Sequence, residues 1–61
     1  MEITAGNIYR IVLGVNCEVK VDKITDTEIE FRVESKRSKS GWKNNVSVML
    51  KEDFMSRLII Q

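Results

Sequence analysis

The sequence predicts an all-β domain over residues 1–61, with five short antiparallel strands in a small barrel and one helical turn, at about residues 52–57, before the last strand. Three observations carry this. Trp42 to Leu50, WKNNVSVML, alternates cleanly, with Trp42, Asn44, Val46, Val48 and Leu50 on one face and Lys43, Asn45, Ser47 and Met49 on the other. The other β-rich runs are bounded by Gly and polar residues, and Pro is absent. Finally, the period changes only once, at KEDFMSRL, where Phe54 and Leu58 fall four apart.

Taken in order, Ala5-Gly6-Asn7 punctuates a short lead-in. Ile8 to Gly14 is β-rich and apolar on both faces: Tyr9, Ile11 and Leu13 on one, Ile8, Arg10 and Val12 on the other. Gly14-Val15-Asn16 reads as a tight turn, since Gly and Asn tolerate positive φ. From Cys17 the strand points Cys17, Val19 and Val21 inward and Glu18, Lys20 and Asp22 outward; the phase breaks at Lys23-Ile24, read as a bend or the start of the loop Ile24–Thr27. The strand from Glu28 to Ser35 turns Ile29, Phe31 and Val33 inward. Charge favours Lys20 opposite Glu30 and Glu18 opposite Arg32, because like charges directly opposite cost tenths of a kcal/mol to about 1 kcal/mol per pair. Lys36 to Gly41 forms an exposed basic hairpin loop, followed by the alternating strand. Glu52 and Asp53 suit the positive end of a short helix docked by Phe54, and Leu58-Ile59-Ile60 makes the final strand. The expected core is Tyr9, Ile11, Leu13, Cys17, Val19, Val21, Ile29, Phe31, Val33, Val46, Val48, Leu50, Phe54 and Leu58.

This order of elements resembles the small SH3-like barrels, a superfold that includes SH3, Tudor-like and KOW-type domains and small archaeal chromatin proteins. The resemblance spans most of the chain and concerns element order alone, since no proline-rich-ligand signature, KOW glycine pattern or aromatic cage is present. An OB-like barrel is the runner-up, for which 61 residues is short. Such barrels host many activities, so function must come from the residues.

Composition removes several functions. Ten basic and nine acidic residues leave a net charge of +1, unlike the basic footprint of a general polyanion binder, and leave little repulsion to hold copies apart. The chain has no His and one cysteine, Cys17, so neither an internal disulfide nor a typical structural zinc site can be built. No cofactor or metal is expected. General acid–base catalysis lacks its usual group, and Cys17, placed inward on a strand, reads as an inert small hydrophobe, so the chain is read as no enzyme. Glu52 with Asp53 could hold a hard cation but reads as an exposed helix start. MEITAGN lacks a basic secretory n-region, and the apolar stretch Ile11–Val15 is far too short to span a bilayer, so a soluble, cytoplasmic protein without membrane contact is expected.

Two binding hypotheses remain. The first is a non-enzymatic protein-interaction module, a small regulator, inhibitor or adaptor that binds a larger protein or itself through Ile8, Val12, Met49, Ile59 and Ile60. Its motive is apolar residues in excess of what one small core can hide, set along strands where an edge invites strand addition or dimerisation. The alternative is a weak nucleic-acid binder using Lys36, Arg37, Lys39, Trp42 and Lys43, with cations on phosphate and the indole stacked on a base. Glu28, Glu30 and Glu34 oppose it if they share that face, and a Lys-rich loop is often only a solvated turn.

Overall fold

Strand β1 (Ile8–Leu13) turns directly into β2 (Val15–Ile24) through Gly14, whose φ of 76° is a backbone conformation that side chains disfavour. The expected turn over Gly14-Val15-Asn16 is thus corrected to Gly14 alone, because Val15 and Asn16 already pair with Leu13 and Val12 and β2 starts two residues before Cys17. The computed structural model, which describes residues 2–59, continues with β3 (Glu28–Val33), β4 (Ser47–Leu50) and helix α1 (Lys51–Arg57). The strands form one antiparallel sheet in the order β1-β2-β3-β4. The loop from β2 to β3 closes on Thr25: its N–H donates to the Glu28 carbonyl at 2.9 Å, and its hydroxyl accepts from the Glu28 N–H at 3.0 Å.

The inner face of the sheet supports the core. Ile11, Val19, Val21, Ile29, Phe31 and Phe54 are buried there, each side chain of this size stabilising the fold by about 1.5–3 kcal/mol. Ile3, Tyr9, Leu13, Cys17, Ile24, Val33, Met49 and Leu58 pack around them half-buried. Phe54 seats α1 on the sheet, edge-on to Tyr9 at 6.3 Å between ring centroids and tilted against Phe31 at 5.6 Å.

Three further expectations are corrected. Among the described residues the sheet is open, with four strands instead of a closed five-stranded barrel. Of the expected last strand, Leu58 makes a single bridge to Ile11 and the Ile59 N–H donates to the Arg10 carbonyl at 2.9 Å; Ile60 lies outside the described residues. Two residues after a helix tether the edge of β1 but do not form a ladder.

The second correction is register. Lys20 lies opposite Arg32, not Glu30, and Val21 lies opposite Phe31. The unfavourable pairing is relieved by a β-bulge between Val21 and Lys23, which sets Lys23 opposite Glu30 and frees Asp22 to bind the Arg32 guanidinium at 2.8 Å. The phase break at Lys23-Ile24 is this bulge, and β2 runs on through Ile24, which faces the core.

The third correction concerns Trp42 to Leu50. Trp42 bridges Glu34, the chain then bends at Asn44-Asn45, and β4 proper begins at Ser47. The alternation holds, but its apolar side faces solvent: Val46, Val48 and Leu50 are 41%, 55% and 54% exposed. Direct pairing sets the phase. Met49 lies opposite the buried Ile29 and Ser47 opposite the buried Phe31, so Val48 and Leu50 share the outer face with Glu30 and Glu28.

Candidate interaction surface

The outer face of the sheet has a charged centre between two apolar margins. β2 and β3 contribute Glu18, Lys20, Lys23, Glu28, Glu30 and Arg32. On the β1 margin, Ile8 and Val12 are exposed on either side of Arg10, and Ile59 is half-buried beside them through its bond to Arg10. The β4 margin carries Val46, Val48 and Leu50. Of the expected contact residues, Ile8, Val12 and Ile59 thus come together, whereas Met49 is directed into the core. Val46, Val48 and Leu50 belong to the surface instead, and alternation alone held no signal for this, since it cannot say which of two faces is covered.

The two margins differ in backbone chemistry. At β1 two of the three outward carbonyls are taken: Arg10 accepts from the Ile59 N–H, and Val12 accepts from the Arg57 guanidinium at 3.1 Å, while the outward carbonyl of Ile8 holds no donor among the described residues. At β4 the ladder runs the other way. The Lys51 N–H donates to the Thr27 carbonyl at 2.8 Å, which places Lys51, Met49 and Ser47 in bonded pairs with β3. Val48 therefore turns its N–H and C=O away from the sheet, and Leu50 its N–H. Among the described residues no hydrogen bond reaches them from that side.

The loop after β3 is built, not loose. The Ser35 N–H donates to the Gly41 carbonyl at 2.8 Å and the Lys43 N–H to the Val33 carbonyl at 2.8 Å. Gly41 supplies the positive φ, 88°, that closes it. Trp42 is half-buried on the outer face and does not pack on the core. With Lys36 it lines a shallow hollow of about 280 Å³ that also holds Glu18 and Glu34. Arg37 and Lys43 line a neighbouring hollow with Asn44 and Asn45, and Lys39 lies on the exposed loop between. The Glu34 carboxylate accepts from the Glu18 N–H at 2.7 Å, which holds a negative charge beside the indole.

At the far end of β4, Leu50 and Met55 are exposed in a hollow of about 680 Å³ whose charged lining is Asp26, Lys51 and Glu52. Among the described residues, no three His, Cys, Asp or Glu side chains gather into a metal site, and no helix is long and apolar enough to cross a membrane. The half-buried Cys17 thiol is pushed above its ordinary value by desolvation and then by the charge of Glu34, against the opposing effect of Lys43. Comparison of the chain with protein-family models, with curated proteins and with solved structures finds no match in any of the three.

Proposed function

We propose that this chain is a non-enzymatic protein-interaction module, a small regulator, inhibitor or adaptor that binds a larger protein or itself through the apolar margins of its outer sheet face. The observation that carries the reading is the balance of large apolar side chains among the described residues: Ile8, Val12, Val15, Val46, Val48, Leu50 and Met55 are exposed, against six that are buried. Single exposed apolar residues are ordinary, but five of these seven line the two sheet margins, where covering them and adding a strand are the same act. Within the same proposal the architecture is an SH3-like barrel left open, since Leu58 returns to β1 after the short helix. A cytoplasmic setting suits a reduced Cys17.

The test is capture from a host extract together with light scattering, using wild type, Val12→Asp and Val48→Asp. Both substituted positions are exposed, so the fold should persist, as circular dichroism will check. Loss of capture or of self-association in either variant supports the reading. If both variants leave both properties unchanged, the reading fails.

The second reading, weak nucleic-acid binding, is favoured by one observation: Trp42 lies outside the core, beside Lys36, with Arg37 and Lys43 next to it. Glu18 and Glu34 in the same hollow weigh against it, and it ranks second.

A further inference from the structure

We infer that β4 is the seat of a twofold homodimer, in which the β4 strands of two copies pair antiparallel about Val48 and join their sheets into one. The inference rests on the interaction-module reading and deepens it by naming the partner, a second copy of this chain.

Four features of the edge lead there. It is the less blocked one, since β1's outward carbonyls at Arg10 and Val12 already hold donors and only Ile8 stays open there, while β4's outward groups at Val48 and Leu50 hold none among the described residues. The residues that turn backbone groups outward, Val48 and Leu50, are also those whose side chains are exposed, so one added strand satisfies both. The edge is self-complementary: with Val48 facing its own copy, Val46 of one chain lies across from Leu50 of the other. No charged side chain then enters the new contact on the outer face.

Charge supplies the fourth argument, and it selects a second copy over an unrelated protein. Antiparallel pairing sets the start of β4 in one chain beside the end of β4 in the other. The start is basic, with Arg37 and Lys43 in one hollow and Lys36 and Lys39 on the same loop. The end is acidic on balance, with Asp26 and Glu52 in one hollow and Asp53 in the first turn of α1, against the single cation Lys51. In the Val48-centred register, Lys43 of one chain comes up to the Glu52–Asp53 turn of the other, twice over by symmetry.

The test is light scattering and sedimentation of the wild-type chain from about 1 µM to about 1 mM, a range that brackets an edge contact of modest area. Hydrogen exchange of the Val48 amide is followed over the same range. The expected result is a concentration-dependent dimer in which the Val48 amide slows as the dimer fills. Val48→Lys should weaken it at least about tenfold, because edge lysines block strand pairing. Lys43→Glu and Asp53→Lys should each weaken it several-fold, and the two together should restore it. The wild-type amide readout needs no variant, so a variant that fails to fold leaves the test intact. A dimer whose Val48 amide exchanges as fast as in the monomer overturns the inference. So does a chain that stays monomeric throughout, and in that case the interaction-module reading still stands or falls on the capture experiment.

Discussion

Val48 and Met49 are neighbours with nearly the same apolar character, yet Val48 is exposed and Met49 packs against the core. What separates them is the residue opposite: Glu30 for Val48, buried Ile29 for Met49. The same logic explains Lys20, which tolerates Arg32 across the ladder because the bulged Asp22 supplies the counter-charge at 2.8 Å. Cys17 offers a test at this scale. Its thiol is raised by desolvation and by Glu34, so the thiolate fraction near neutral pH is below that of an unstructured cysteine. Alkylation by iodoacetamide should therefore run slower than for a cysteine in a short peptide, and Glu34→Gln should speed it by removing the negative charge. An unchanged rate in Glu34→Gln would exclude the electrostatic contribution.

Among the elements, α1 is the one whose place follows most directly from the chain. Phe54 was legible as its anchor from the four-residue spacing to Leu58 and the acidic first turn, and it is fully buried between Tyr9 and Phe31. A seven-residue helix has too few bonds to stand alone, so this contact holds it. Phe54→Ala should cost about 3–5 kcal/mol, much of the stability of so small a domain, and urea unfolding followed by circular dichroism should show the transition shifted far down or lost. A loss below about 1 kcal/mol would mean that α1 is not docked as described. β2 was legible in its alternation and even in its break, because a bulge leaves two successive residues on one side. The bend at Asn44-Asn45 was not legible: it moves the pairing by two residues, which preserves phase and so leaves no mark on an alternating pattern.

Over the whole molecule, charge is sorted by position although its sum is near zero. The basic loop 36–43 lies at one end of β4, and Asp26, Glu52 and Asp53 outnumber Lys51 at the other, with mixed charge across the outer face. This decides how the nucleic-acid reading is tested. If loop 36–43 holds single-stranded nucleic acid, fluorescence anisotropy should show affinity that falls as salt rises, and Trp42→Ala should remove about 1–3 kcal/mol, the worth of one stacked base. Absence of binding at low salt would dispose of that reading and leave the loop as the basic half of a protein contact.

The sequence by itself determined the all-β class, the hairpin order, the place of the turns at Gly14 and Gly41 though not that the first spares Val15 and Asn16, the short helix and most of the core, because these depend on local backbone preference and on period, both written along the chain. Only the tertiary structure decided that the sheet stays open, that Lys20 meets Arg32, and that Val46, Val48 and Leu50 face outward. Those outcomes turn on register between segments distant in sequence. A strand with two usable faces has no inside until its neighbour is in place, so the apolar edge that carries the functional reading appears only once β3 has set the phase of β4.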